Sequence, residues 1–406
     1  MKTRLFFSFL LAVSLVFGVC EAQGQIFSGF VKKVNCTRGE TIARALQVLD
    51  IIPITIQVKG TCNENVEIIR DDLTIKADPL GGTVIGPDPN LPTINVRGFR
   101  TVIDGLTISG GGTGISVRGG ATIQNCTVQN TGTNGISFFH GGNGTVDNCT
   151  VRNNGGHGVV VEGGSATVIN SAISSNATGI VVSLSGGARI GITDRNQYAG
   201  NTISNNQGSG IIISTSGSAQ IGGNIIEGNG KDPNSLFAWF GILIDGASAI
   251  LVGNNKITGN SGSGVVAQRS SGLRIGHPAL GLPITNLITG NGIAPPLNAP
   301  TGGIFGTQGA SLEIRSTTIS GNTGNGITLA LGSVARMFQD TVSGNTANGI
   351  LLTLGGGLGL DPPAVTVTGN TLFGLQCSGT ESSYSGNTTG ISGNTGGDIS
   401  PSCTGF

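Results

Sequence analysis

Residues 255–260 read NKITGN, and similar hexads recur as NLITGN at 286–291, TTISGN at 317–322 and DTVSGN at 340–345. Each hexad has an apolar residue at its third position and ends in Asn. Shortly afterwards the chain continues with Gly-Ile or Gly-Val, as in SGVVA, GGIFG, NGITL and NGILL. Brief alternation of apolar and polar residues, bounded by Gly and Asn, is typical of short β-strands and not of helices.

The same two-part unit recurs at least nine times, and its terminal Asn residues form a column. These are Asn154, Asn176, Asn206, Asn229, Asn260, Asn291, Asn322, Asn345 and Asn370. The basic spacing is 22 or 23 residues, and longer spacings add about eight. A repeat of this length predicts a solenoid whose equivalent strands stack in parallel, ~4.8 Å apart. An inward Asn in every coil would then bond to the Asn above and below it.

The coil length, the Asn column and the Gly-Ile or Gly-Val strand starts resemble the right-handed parallel β-helix repeat proteins of the pectin-lyase-like superfamily. The resemblance covers about residues 50–395 and implies an all-β solenoid of about 12 coils. It is specific for the fold and uninformative about chemistry. We predict the β-helix at residues 61–395 and a C-terminal cap or tail at 396–406.

An N-terminal cap with a short helix is expected at residues 23–60. Thr37-Arg-Gly-Glu40 has the pattern of a capping box. The residues that follow place one apolar stripe on a helix: Ile42, Ala45, Leu46 and Leu49. Such a helix would hide the open edges of the first coil, as a stack of parallel strands requires.

Residues 1–22 have the features of a signal peptide. Lys2 and Arg4 precede an apolar run, and small residues stand at the two key positions of a cleavage site after Ala22. We therefore expect a secreted, periplasmic or cell-surface protein without a transmembrane segment. Equal numbers of basic and acidic residues, 21 each, give no bulk positive charge to hold nucleic acid.

Removal of the signal peptide leaves six cysteines that form three pairs close in sequence. In an exported chain this pattern favours disulfides: Cys36–Cys62, Cys126–Cys149 and Cys377–Cys403. For Cys126 and Cys149, which should point inward on adjacent coils, a buried thiol pair is the alternative. The chain has no C-x-x-C, and its histidines are not spaced near the cysteines, so no metal site and no cofactor are expected.

Four insertions lengthen the coils, and any built site should use them. They are residues 191–199, 230–239, 276–284 and 292–301. All four are expected to border the strand face that carries Glu227 and Lys256. Candidate glycan-binding residues on this face and its loops are Trp239, Glu227, Lys256, Asp232, Asp194, Arg195 and His277. Trp239 is the only tryptophan and is a candidate stacking platform for a sugar ring.

Two functions remain open. The first is a non-catalytic surface or envelope protein that binds polysaccharide. The second is a polysaccharide lyase, glycoside hydrolase or epimerase, which would need acidic residues that converge beneath the four loops. The alternative for Glu227 and Lys256 is an ordinary cross-strand ion pair, and the alternative for Trp239 is packing of its own loop.

Overall fold

The computed structural model describes residues 30–47, 54–232, 239–277, 281–293, 300–379 and 381–404. The chain coils into a parallel β-helix whose strands lie on three faces, which we call face I, face II and face III in the order in which each coil visits them. Two long strands, Ile54–Asn63 and Leu73–Gly86, bend from face I onto face II. The predicted signal peptide lies outside the described residues.

Face I also contains the following strands: Phe30–Asn35, Thr101–Asp104, Gly120–Gln124, Asn143–Asp147, Ser165–Ile169, Gly187–Ile190, Ser218–Gly222, Ser248–Gly253, Gly272–Ile275, Ser311–Arg315, Val334–Phe338, Gly357–Leu360 and Ser383–Gly386. Face II continues with Thr107–Gly110, Thr127–Gln129, Thr150–Arg152, Ala172–Ser174, Thr202–Ser204, Ile225–Glu227, Lys256–Thr258, Asn286–Thr289, Thr317–Ser320, Thr341–Ser343 and Thr366–Thr368. Face III comprises Val66–Ile68, Ile94–Val96, Ile115–Val117, Ile136–Phe139, His157–Glu162, Thr178–Ser183, Ile211–Ser214, Ile242–Asp245, Val265–Gln268, Gly302–Gly306, Asn325–Leu329, Ile350–Thr353, Phe373–Ser378 and Gly397–Ile399.

Stacking in register produces the core. On face II, Ile203 pairs with Ile226, which pairs with Ile257 of the following coil, and all three are fully buried. Because each strand is only three to six residues long in most coils, no coil could bury these side chains alone. With the two long strands, face I has 15 strands in the described ranges. The solenoid therefore has about 15 turns, and the expected number of about 12 was too low because the N-terminal coils lack the Asn motif.

The predicted Asn column is confirmed. Within it, each side-chain amide nitrogen lies 2.8–3.2 Å from the amide oxygen of the next Asn, in an unbroken series from Asn154 to Asn394. Thr131 donates its hydroxyl proton to Asn154 at the start of the series. At its end, the carboxylate of Asp398 accepts from Asn394.

The Gly at the start of the face III strands beside the Asn ladder is required by this ladder. A Cβ added at Gly241 would lie 2.5 Å from the carbonyl oxygen of Gly264 and 2.9 Å from Nδ2 of Asn260. Contacts this short would push the coils apart or displace the ladder. The Gly-Ile and Gly-Val pattern therefore reports close coil packing at the turn between faces II and III.

A second inward column, at the turn between faces I and II, was not predicted. Its side chains change along the axis and include Cys126, Cys149, Ser171, Asn201, Asn224, Asn255, Asn286, Thr317 and Asp340. The four Asn members form another ladder, with Nδ2 to Oδ1 distances of 2.9–3.1 Å. A buried column therefore runs from thiols through amides to one carboxyl group.

Two of the three expected disulfides are present, Cys36–Cys62 and Cys377–Cys403. The third prediction was wrong, because Cys126 and Cys149 are free and buried. Their sulfurs lie near the carbonyl oxygens of Gln124 and Asp147, at 3.1 and 3.3 Å. Stacked coils also hold equivalent Cβ atoms near ~4.8 Å, beyond the usual disulfide range of ~3.5–4.5 Å.

The N-terminal region contains a 3-10 helix, Cys36–Arg38, and an α-helix, Ile42–Leu46. The predicted capping box is wrong. Thr41 is the N-cap, and Glu64 accepts the N–H groups of Ile42 and Ala43, while Glu40 accepts from Asn35. Leu49 lies outside the described residues, and the role of the helix as a lid stays a prediction. The described helices are too short to cross a membrane.

Replacement of one ladder amide should destabilise the fold. Asn260→Ala removes the buried oxygen that accepts both the backbone N–H and a side-chain N–H of Asn229, so we expect a loss of about 1–3 kcal/mol in the free energy of unfolding. Chemical denaturation measures it, and the exposed Asn143→Ala is the control. Equal midpoints for the two variants would contradict the structural role of the ladder.

The buried Asp340 predicts a pH dependence of stability. Burial raises the pKa of its carboxyl group to about 7, although the N–H groups of Thr317 and Phe338 lower it. Between the unfolded value of ~3.9 and about 7, only the folded state keeps the proton. The free energy of unfolding should therefore fall as pH rises, by up to ~1.4 kcal/mol per pH unit.

Asp340→Asn should remove this contribution. Denaturation between pH 4.5 and 7.5 should give a flatter pH profile for the variant than for the wild type, with the exposed Asn143→Ala as a control that keeps the wild-type slope. A variant with the wild-type slope would show that Asp340 is ionised in the folded protein throughout this range.

Candidate functional site

Small side chains line the corner where each coil enters face I. The first residues of successive strands are Ser165, Gly187, Ser218, Ser248, Gly272 and Ser311. The second residues point inward and are Ala166, Ala188, Ala219 and Ala249 in four consecutive coils. Because these side chains are short, the surface is indented along this corner.

The indentation is a continuous groove parallel to the solenoid axis. Two cavities of 530 and 500 Å³ share Ser248, Ala249 and Ile250, and a third of 370 Å³ joins the first at Gly144. We call the whole feature, from the coil of Gly120 to that of Val334, the face I groove. It spans nine consecutive face I strands, or roughly 40 Å at ~4.8 Å per coil.

The floor of the face I groove presents one outward side chain per coil. In order these are Thr122, Thr145, Thr167, Arg189, Gln220, Ile250, Arg274, Glu313 and Arg336. Hydroxyl groups occupy the N-terminal third, whereas guanidinium, amide and carboxylate groups occupy the rest apart from Ile250. Most of the floor can therefore donate or accept hydrogen bonds.

Charges in the C-terminal half of the groove are paired. The carboxylate of Glu313 lies 2.5 Å from Nε of Arg315 and 3.8 Å from Nε of Arg274. The guanidinium of Arg315 also stacks on Phe338, with its carbon 4.0 Å from the ring centroid. Among the described residues that line the two larger cavities, Glu313 is the one carboxylate.

Inserted loop 191–199 borders the groove beside Arg189. Asp194 lies 4.0 Å from Arg189 and 3.5 Å from the hydroxyl of Thr167. The hydroxyl of Tyr198 donates to the carbonyl oxygen of Pro283, which belongs to loop 276–284. Burial raises the pKa of Tyr198 to about 12, so this donor keeps its proton at neutral pH. The two loops thus form one joined border.

The four insertions occupy the turns on either side of face II, which agrees with the sequence prediction. Residues 233–238, 278–280 and 294–299 of these loops lie outside the described residues. On face II, Glu227 pairs in register with Thr258, and Lys256 pairs with Ile225. The two charged residues are therefore diagonal neighbours, and no ion pair joins them within the described ranges.

The other candidate residues are spread over the loops. The indole N–H of Trp239 donates to the carbonyl oxygen of Asp232 at 2.9 Å, and its ring is half-buried. Arg195 is exposed at the tip of loop 191–199, and His277 follows the face I strand that carries Arg274. Of the seven predicted residues, Asp194 is the one that the structure places against the face I groove.

Sequence reasoning missed the groove floor, although a signal was present. The dipeptides Ser-Ala, Gly-Ala, Ser-Ala and Ser-Ala open four successive face I strands at 165–166, 187–188, 218–219 and 248–249. The residue after each dipeptide points outward and belongs to the groove floor. Small residues at a fixed place in the repeat indicate an indentation, but they carry no chemistry of their own.

The structure offers no metal centre among the residues described. One group of possible ligands is close enough, formed by Cys36, Cys62 and Glu64. The two sulfurs are joined in a disulfide, and the carboxylate of Glu64 accepts two helix N–H groups. These atoms already have partners, so the group does not fit a metal ion.

The family model for a right-handed β-helix region matches residues 92–239 and 240–399. No curated protein matches the chain. Similar solved structures include pectate lyase Pel9A, with 11% identity, coverage of 87% of this chain and 78% of that chain, and a TM-score of 0.36. The periplasmic alginate epimerase AlgG has 12% identity, coverage of 92% and 81%, and a TM-score of 0.43. A mannuronan C-5 epimerase module from Azotobacter vinelandii has 14% identity, coverage of 82% and 91%, and a TM-score of 0.42.

The position of Trp239 allows a direct test of its role. Because its indole N–H is bonded within its own loop, we expect Trp239→Ala to lower the free energy of unfolding by about 1–3 kcal/mol. Thermal and chemical denaturation measure this, with Tyr384→Phe as a mild aromatic control. Unchanged stability together with a loss of glycan binding would instead support the stacking platform.

Proposed function

Because this chain belongs to the right-handed β-helix family, we propose that its face I groove binds an extended polysaccharide strand. The observation that carries the proposal is the length of the groove, which continues through three adjoining cavities. A groove of nine strands suits a polymer and exceeds what a single small molecule would fill. The family membership itself supports the fold and not the chemistry.

The groove floor suits a polyhydroxyl ligand. Gln220, Arg274 and Glu313 present planar hydrogen-bonding groups, and Ile250 between them offers an apolar surface for a sugar ring. Since the coils repeat at ~4.8 Å, equivalent groups recur at a spacing comparable to that of sugar units in an extended chain. Successive sugars can therefore meet successive coils.

Binding without catalysis is the function that the floor favours. Glycoside hydrolysis ordinarily uses two carboxyl groups about 5–9.5 Å apart. Glu313 is the carboxylate among the described residues of the two larger cavities, and it is held between Arg274 and Arg315. An enzyme acting on polysaccharide stays the alternative, with Asp361 beside Arg336 and Asp194 beside Arg189 as additional carboxylates.

We also propose that the chain is exported, that it uses no cofactor and that it does not bind nucleic acid. Residues 1–22 are proposed as a signal peptide, and two disulfides elsewhere in the chain suit an oxidising compartment. Candidate glycan contacts on face II, including Glu227 and Lys256, are retained as a second surface to be tested in the same assay.

A polysaccharide panel tests the function. Binding and new reducing ends should be measured together on neutral and acidic polymers, and we expect binding without cleavage. Arg274→Ala should weaken binding about tenfold, which corresponds to ~1.4 kcal/mol, because it removes a hydrogen-bonding group from the floor.

Arg152→Ala, on face II, is the matched control and should bind as the wild type does. The proposal fails if no polymer of the panel binds, or if Arg274→Ala and Arg152→Ala have equal affinities. New reducing ends in the wild-type reaction would favour the enzymatic alternative.

A further inference from the structure

The N-terminal end of the solenoid exposes part of its core. Strand Phe30–Asn35 pairs in parallel with Ile54–Asn63 on one side, and no described strand pairs with its other edge. Phe30 stands in register with Ile54, so it continues an inward column. Its exposed fraction is 48%, whereas that of Ile54 is 3%. The column of Phe30 thus reaches solvent at this end, whereas the next inward position of the strand is Lys32, in register with Ile56.

Unpaired cations surround this end. A cavity of 310 Å³ between the first strand and the α-helix is lined by Lys32, Arg38 and Arg44, together with Glu40. The Glu40 carboxylate accepts the N–H group of Asn35, and none of the three cations forms an ion pair with a described residue. The N-terminal end is therefore basic.

The C-terminal end also exposes core positions. Strands Ser383–Gly386 and Gly397–Ile399 are the last on faces I and III, and each pairs with a described strand on one side only. Tyr384 and Ile399 continue the inward columns of Leu358 and Leu375 and are only half-buried. The end of the stack is thus only partly covered in the part of the chain that the structure describes.

The charge of the C-terminal end is opposite to that of the N-terminal end. Residues 337–406 contain no Lys or Arg and four acidic residues. Asp340 is buried and Asp361 is paired with Arg336, whereas Glu381 and Asp398 are exposed. The terminal coil therefore carries a negative surface.

From these features we propose that the chain associates end to end with a second copy of itself. On face I all strands run in one direction, so strand Ser383–Gly386 of one copy can pair in parallel with strand Phe30–Asn35 of the next. Strand edges supply main-chain hydrogen bonds, Phe30 and Tyr384 supply apolar contact, and the opposite charges select the head-to-tail orientation. Such an interface is heterologous and leaves one free end of each kind.

Two charge variants test the interface. Lys32→Glu with Arg44→Glu blocks the N-terminal end, and Glu381→Lys blocks the C-terminal end; all three residues are exposed. At low salt, sedimentation should show concentration-dependent association of the wild type and an association constant at least about tenfold weaker for either variant alone. High salt should weaken the wild-type association because the charges are exposed.

Mixing the two variants gives the sharper result. The intact C-terminal end of the first variant can meet the intact N-terminal end of the second, so the mixture should form a one-to-one complex that grows no further. Arg152→Glu, far from both ends, is the control and should associate like the wild type. A monomeric wild type at low salt, equal association of the end variants and the control, or no complex in the mixture would each overturn the proposal.

Discussion

Parallel stacking of equivalent coils in register is the constraint on which this structure depends. Register matters because a strand shifted by one residue would turn its apolar side chain outward. From Asn154 onward, the Asn ladder fixes the register at one turn of each coil. Each amide bonds both to the next Asn and to a carbonyl oxygen of the preceding coil, as Asn260 does with Asn291 and Ile226. The remaining turns are then free to vary in length and composition.

That freedom determines where a site can be built. The turns beside face II accept insertions, and one of these brings Asp194 against Arg189 while Tyr198 reaches Pro283 in a second insertion. The corner between faces III and I instead has little side-chain volume, because its stacked positions are Ala and Ser. The groove therefore has short side chains at the corner between faces III and I and inserted loops on its opposite border.

The sequence was sufficient for the features that repeat and insufficient for those that depend on orientation. The ladder from Asn154 to Asn370 could be predicted because one residue type recurs at one place. The coil number was underestimated because the first coils use other residues. Cys126 and Cys149 do stack as expected, yet their bond does not form, because equivalent Cβ atoms in parallel coils point the same way. The groove floor was missed because stacked neighbours such as Gln220, Ile250 and Arg274 are of different chemical types. No residue type therefore recurs at this place in the repeat.

The ladder has a direction, and its two ends are electrically different. Every side-chain amide from Asn154 to Asn394 donates toward the C-terminus, so the amide dipoles align head to tail. As in an α-helix, aligned dipoles leave partial positive charge where donors are unsatisfied. Here that end meets the carboxylate of Asp398, which accepts hydrogen bonds from the backbone N–H and the side-chain amide of Asn394. The solenoid thus carries an internal axial dipole, and an anion terminates it at its positive pole.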